Sequence, residues 1–184
     1  MALQNFQEEC AFTYLYEPLD FNFSVMCNLG AKKASGEYLL LLNDDMEVLA
    51  DCADWLDRMV GQASLRHVGA VGAKLLYPNS TLIQHAGVTN TISGPGHKLK
   101  GLDDTQSYYY GRNKLVYDMI GVTAACLLIR TKVYRALGGL YEGLRVAYND
   151  VDLCFRLCEK GLCIVQRNDV VLYHHESLSR GDDM

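Results

Sequence analysis

Three short stretches of the 184-residue chain place acids and histidines where they could do chemistry. Asn43-Asp44-Asp45 follows the apolar run Tyr38–Leu42, Asn149-Asp150-Val151-Asp152 opens an apolar-periodic segment, and His174-His175 follows Val170–Tyr173. A short acidic pair suits Mg²⁺ or Mn²⁺, which take one or two protein carboxylates and leave the other positions to phosphate oxygens and water. Asn and Asp are also favoured turn residues, so a plain turn competes with that reading. Asp150 or Asp152 could act as a general base if it reached an acidic proton. The competing reading is an acid that complements a helix dipole. Asp150, nearer the helix start, is the better base candidate, and Asp152 is expected to bond backbone or a nearby basic group. On a strand, neighbouring side chains point to opposite faces, so only one of His174 and His175 can look into a given site. A metal or phosphate role is open to that one. Arg180, beside Gly181, could clamp a phosphate or simply be solvated. His97, next to Lys98, reads first as a solvated loop histidine, and second as a contact to acceptor or donor phosphates.

The elements that must position these groups are legible from pattern. Phe12–Tyr16 is rich in β-formers and stops before Pro18, which predicts a strand. Residues 22–35 predict a helix with Phe23, Met26, Cys27 and Ala31 on its apolar stripe and Gly36 after its end. Tyr38–Leu42 lacks alternation, which predicts a strand covered on both faces, as in a parallel sheet. Asp51 can cap a helix through Ala63. Strands are expected at Val68–Tyr77, Leu115–Met119, Val122–Ile129, Leu162–Val165 and Val170–Tyr173. Thr131–Leu137 reads as a short helix, and Asn149 caps another that ends at Gly161. Residues 89–107 read as one long, mobile loop. Helices alternating with buried strands indicate a single α/β domain over residues 1–184.

Composition limits the partners. The chain is 49% hydrophobic and carries a net charge of −5, so no global positive field exists to hold nucleic acid or an anionic membrane. An anionic partner must be gripped locally, and a metal ion is the obvious means. No apolar run approaches the ~20 residues of a membrane span, and Met1–Asn5 does not resemble a signal peptide. The seven cysteines, odd in number and irregular in spacing, read as reduced core thiols of a cytoplasmic protein. Cys154 and Cys158 have helical spacing for zinc, but a buried structural role is the simpler reading.

Taken in order, Phe21-Asn22-Phe23-Ser24, Asn28, Gly36–Asp45, Thr123–Arg130, Gly138-Gly139-Leu140, Asn149–Arg156 and His174–Gly181 resemble the family 2 inverting glycosyltransferases of the GT-A fold, especially bacterial enzymes of surface-polysaccharide synthesis. The resemblance runs from about Phe12 onward. It implies a Rossmann-like α/β domain with a mixed, mostly parallel sheet flanked by helices. It also implies transfer of a sugar, with inversion, from a nucleotide-diphosphate donor to a saccharide acceptor. Asn43-Asp44-Asp45 looks like the family's DXD-type motif with Asn in the first acidic place. Asp45 would then bind Mn²⁺ or Mg²⁺, and Asp44 would lie near the sugar or ribose. Asp150 matches the catalytic base, His174 or His175 a further metal ligand, and Ser179-Arg180-Gly181 a segment that closes over the donor.

The family's first strand–helix–strand units, which cradle the nucleotide base, have no counterpart before Phe12. The resemblance therefore implies the metal- and acceptor-side portion of a larger domain, with weak or no activity alone. It also implies an exposed sheet edge that invites self-association. Membrane association would come only through partners or regions outside the chain. Two other functions use the same residues: a non-catalytic binding or assembly module, and a metal-dependent sugar-nucleotide hydrolase.

Overall fold

A computed structural model describes residues 12–175. Helix α1 (Phe23–Lys33) starts where the Asn22 side chain accepts the Val25 amide at 3.1 Å. Strand β1 (Tyr38–Leu42) follows, then β2 (Met46–Val48), a 3₁₀ turn over Ala50–Cys52, and α2 (Trp55–Ala63). Beyond it come β3 (Val68–Leu76), β4 (Ile83–His85), the hairpin strands β5 (Val88–Thr91) and β6 (Gly94–His97), and β7 (Val116–Met119). The described chain ends through β8 (Cys126–Arg130), α3 (Thr131–Ala136), α4 (Asn149–Glu159) and β9 (Cys163–His174).

Seven strands form one mixed sheet in the order β1-β8-β3-β9-β2, with β4 on β3 and β7 on β9, while β5 and β6 pair separately. Both faces are covered, as the unbroken apolar runs predict. Leu39, Leu41, Leu127 and Ile129 enter one core with Leu153 and Leu157 of α4, and Leu40, Cys126 and Leu128 enter the other with Met59 of α2. Each fully buried leucine contributes roughly 1.5–3 kcal/mol. At the end of β8, the Arg130 guanidinium donates to the carbonyls of Ala63, Leu65, Arg66 and Val68, tying the α2–β3 turn to β8.

Several local expectations are corrected. Among the described strand pairs only β3–β9 is parallel; β1 lies antiparallel to β8. An apolar run reports that both faces are covered, and carries no information about strand direction. Phe12–Tyr16 forms no regular element. Residues 89–107 contain most of the β5–β6 hairpin, its turn chemistry hidden behind Gly94-Pro95-Gly96. Asp51 lies in the 3₁₀ turn, and α2 begins after Asp54. The two expected terminal strands are one, β9, whose register slips where Ala73 pairs Arg167 but Lys74 pairs Val171. The polar residues Asn168 and Asp169 occupy that bulge, so a local interruption looked like a break. No helix among the described residues is long and apolar enough to cross a membrane.

Candidate active-site cleft

A cleft of about 860 Å³ opens at the end of the sheet, and Asp44, Asp45, Asp150 and His174 all line it. Its floor is the segment entering β8. The Thr123 amide points at His85 Nε2 (3.3 Å), the Ala124 amide donates to Asp150 Oδ2 (3.0 Å), and the Ala125 carbonyl accepts the Asn43 amide (3.0 Å). Three consecutive residues thus fasten β4, α4 and the end of β1 to one strip of backbone. From Asn43 the chain crosses the end of the sheet to β9, where the His175 amide donates to the Asp45 carbonyl at 3.0 Å.

Asp45 and His174 form one corner of the cleft. His174 Nδ1 donates to Gln84 Oε1 at 2.7 Å, and the Gln84 amide nitrogen donates back to the His174 carbonyl at 3.3 Å, which fixes the orientation of the glutamine. In the tautomer with its proton on Nδ1, the imidazole keeps a lone pair on Nε2. Asn43 Nδ2 donates to that nitrogen at 3.3 Å, and Asp45 Oδ1 stands 3.2 Å from it. Asp45 Oδ1 is itself buried without a hydrogen-bond partner. Asp45 Oδ1 and, once the Asn43 contact is given up, His174 Nε2 are electron-pair donors at a separation that suits a cation between them, because bonds of about 2.1 Å at a right angle bring ligand atoms about 3 Å apart. No group of three or more His, Cys, Asp or Glu surrounds a common point among the described residues. The corner therefore offers two protein ligands, consistent with a cation that completes its shell from phosphate and water.

Asp150, at the start of α4, lines the same cleft. Its Oδ1 accepts the Val151 amide at 2.8 Å, so both oxygens are oriented by backbone. Each retains lone-pair capacity toward the cleft. Asn149 is not the cap: Tyr148 precedes the helix in a left-handed conformation (φ 63°), while Asn149 turns its amide toward the Leu144 carbonyl. Asp152 pairs with Arg156 at 2.7 Å, and Arg156 also donates to the carbonyls of Leu137 and Gly139, so this acid locks α4 to the α3–α4 connection.

Of the tandem histidines, His175 takes the other face and binds Glu47 Oε2 at 2.9 Å, while His174 lines the cleft. Arg180 and the Ser179–Gly181 segment lie outside the described residues. Cys154 is fully buried, its thiol pushed up to about 12 by burial, whereas Cys158 is exposed; the pair makes no zinc site. Sequence reading missed Gln84 and Tyr148. The Gln84 partner lies 90 residues away, and no local pattern marks it.

No protein-family model matches the chain. It is 43% identical over 167 residues to the uncharacterized protein y4gI of Sinorhizobium fredii (strain NBRC 101917 / NGR234), covering 89% of this chain and 18% of that protein. It is 43% identical over 165 residues to the O-antigen biosynthesis protein RfbC of Myxococcus xanthus, again over 89% of this chain and 13% of the relative. The chain thus spans under a fifth of either relative. Among solved structures, it superposes on the mannosyltransferase PcManGT from Pyrobaculum calidifontis, in complex with GDP-Man and Mn²⁺, with a TM-score of 0.67 at 16% identity, covering 98% of this chain and 44% of that one. It superposes on GalNAc-T7 with UDP, GalNAc and Mn²⁺ with a TM-score of 0.70 at 12% identity, covering 94% and 34%. The mixed sheet and its flanking helices are those of the GT-A glycosyltransferases, as the ordered motifs imply.

Proposed function

We propose that this chain carries the metal and acceptor side of an inverting glycosyltransferase site, acting in cell-surface polysaccharide synthesis on a nucleotide-diphosphate sugar and a saccharide acceptor. The observation that carries the reading is that Asp45 and Asp150, 105 positions apart, line the same cleft. The identity to an O-antigen biosynthesis protein supports the pathway class.

Asp150 removes the proton from the acceptor hydroxyl as general base. The freed oxygen attacks the anomeric carbon from the face opposite the leaving group, the glycosidic bond forms as the bond to the diphosphate breaks, and the configuration inverts. The two backbone amides on Asp150 hold its carboxylate in place for that transfer. Asp45 and His174 would hold a divalent cation, Mn²⁺ or Mg²⁺, which supplies Lewis-acid neutralisation of charge on the departing diphosphate. Asp44, exposed at the cleft, is placed to meet a sugar or ribose hydroxyl. Arg180 would add a phosphate clamp. Strand β1, at the end of the sheet order, is the surface through which copies would self-associate.

The test compares Asp45→Asn and Asp150→Asn with the wild-type protein. Asp150→Asn is expected to lower transfer by about 10²–10⁴-fold while Mn²⁺-dependent nucleotide binding stays intact. Asp45→Asn is expected to lose both. Transfer at the wild-type rate by Asp150→Asn removes the base assignment. Release of free sugar at the same rate with and without acceptor would favour the hydrolase instead.

A further inference from the structure

Four large apolar side chains that line the cleft stay exposed: Phe21, Met26, Val146 and Tyr148. They come from two pieces of chain that hydrogen bonds hold together. The Phe23 amide donates to the Arg145 carbonyl at 2.8 Å, and the Ser24 hydroxyl to the Leu144 carbonyl at 2.6 Å. Exposed apolar side chains gathered in one concavity mark a ligand surface, unlike the same residues scattered singly.

Tyr148 differs from the other three in its backbone, which is left-handed with φ 63° and ψ 3°. A bulky L residue is an outlier there, whereas glycine adopts the conformation without steric conflict. Such strain persists where the surroundings hold it, and it clusters at ligand contacts. Here it is held from both sides. Leu144 and Arg145 are bonded to α1 and its cap, and the Tyr148 carbonyl accepts the Asp152 amide at 2.9 Å in the first turn of α4.

The occupant follows from Asp150, two residues on. A base must come within about 2.6–3.2 Å of the hydroxyl it deprotonates. Consecutive Cα atoms are about 3.8 Å apart, so those of Tyr148 and Asp150 are separated by no more than about 7.6 Å. Both residues line the cleft, so the sugar ring that offers its hydroxyl to Asp150 has to lie beside Tyr148. An aromatic ring has a negative face that attracts the C–H groups on the face of a pyranose, and the hydroxyls at the sugar's rim stay free. Among the described residues no Lys or Arg lines the cleft, which suits a neutral sugar here rather than a phosphate.

We propose that Tyr148 is an acceptor-binding residue: one pyranose ring of the saccharide acceptor stacks on its phenol ring, which sets a hydroxyl of that sugar toward Asp150. The assignment rests on the transferase reading and adds to it the side chain and the sugar face through which the acceptor is held.

The test is saturation-transfer NMR of methyl β-glucoside, methyl β-galactoside and methyl α-mannoside over the protein, with Mg²⁺ and UDP or GDP present. Wild type is expected to bind at least one glycoside, with saturation concentrated on the hydrogens of one ring face. Tyr148→Phe keeps the ring and is expected to bind within about threefold of wild type. Tyr148→Ala and Tyr148→Gly are both expected to bind about tenfold more weakly, the size of one lost aromatic contact. Their stabilities should nevertheless differ, with the higher urea midpoint in Tyr148→Gly, because glycine alone relieves the left-handed strain. Affinity then follows the ring, and stability follows the backbone. Wild-type affinity in Tyr148→Gly, or a loss in Tyr148→Phe as large as in Tyr148→Ala, overturns the proposal. So does a wild type that binds nucleotide but no glycoside, and in each case the transferase reading stands. Weaker binding of UDP-GalNAc or GDP-mannose by Tyr148→Gly, with UDP, GDP and glycosides unaffected, would assign the ring to the donor sugar and overturn the acceptor role. Failure of wild type to bind any nucleotide or nucleotide sugar overturns both readings.

Discussion

Nε2 of His174 and Oδ1 of Asp45 face each other at 3.2 Å as two electron-pair donors, because Gln84 has taken the proton to the far side of the imidazole. A cation between them would relieve the repulsion this implies, and Gln84 would set up the relationship without touching the cation itself. Partners of this outer kind are typically worth 10–100-fold in metal affinity. Gln84→Leu is therefore expected to weaken Mn²⁺ binding by about that factor. Gln84→Glu, which still accepts from Nδ1, is expected to retain binding within a few-fold. Electron paramagnetic resonance of free Mn²⁺ reads the affinity directly, and circular dichroism checks the fold. Equal binding by the leucine variant and wild type would remove His174 as a ligand.

A second buried polar device ties a loop to the sheet. Lys74, on the central strand β3, is 1% exposed and donates to Asp104 Oδ2 and to the Asn113 carbonyl, each at 2.8 Å. Asp104 also accepts from Asn113 and Lys114, so one carboxylate gathers residues 104–114 onto the sheet. Burial alone would raise the Asp104 pKa, but the hydrogen bonds from Lys114, Lys74 and Asn113 outweigh it and hold the pKa below the ordinary carboxylate range. Burial pushes the Lys74 pKa down, against the pull of Asp104. A depressed carboxylate stabilises the fold fully above its unfolded pKa, and the contribution disappears as pH falls through the folded value. Lys74 acts in the other limb: below its lowered pKa its buried charge costs stability, and that cost is relieved as pH rises through it.

Asp104→Ala leaves Lys74 buried without its ion-pair partner, so a loss of about 3–5 kcal/mol is expected at neutral pH. Lys74→Met with Asp104→Leu removes both charges and is expected to recover part of it. The acid limb of the stability curve, measured by urea denaturation from pH 7 to pH 3, should flatten in the double variant. An unchanged limb would mean that other carboxylates govern acid unfolding.

How much of this could be read from sequence follows from where each partner lies. Asn43-Asp44-Asp45 was legible because an apolar run ending in acids marks a strand edge at a ligand-facing end. His174 over His175 could be narrowed to one residue by strand alternation, though the choice needed the Glu47 contact on the opposite face. Strand direction was not legible, since Leu39 and Leu40 bury the same way in either pairing. Lys74, Gln84 and His85 lay hidden inside apolar stretches. Each is satisfied by a group brought close only by the fold, such as Asp104, His174 or His97. Composition reports that a polar residue sits in a core strand, but not which distant group completes it.

The adjacent glycines after α3 separate backbone strain from steric conflict. Gly138 and Gly139 both adopt φ of +77°, so alanine at either place meets the left-handed penalty of about 1–2 kcal/mol. Around Gly138 nothing lies within 4 Å of an added Cβ, whereas at Gly139 that atom would stand 2.2 Å from Asn28 Oδ1. Asn28 cannot easily yield: its Oδ1 accepts from the Tyr134 hydroxyl (2.7 Å) and the Leu140 amide (3.0 Å), and its Nδ2 donates to the Leu140 carbonyl (2.9 Å). Through these bonds α1 is fastened to the start of the segment that leads into α4 and Asp150. Gly138→Ala is expected to cost about 1 kcal/mol, and Gly139→Ala about 3 kcal/mol or more, because the clash adds to the strain. Asn28→Ala in the Gly139→Ala background should remove the clash, so the two losses combine to less than their sum. Urea denaturation of the four proteins measures this coupling. Equal losses for the two glycine variants would show that Asn28 moves aside freely and that its hydrogen bonds to Tyr134 and Leu140 do not hold the connection.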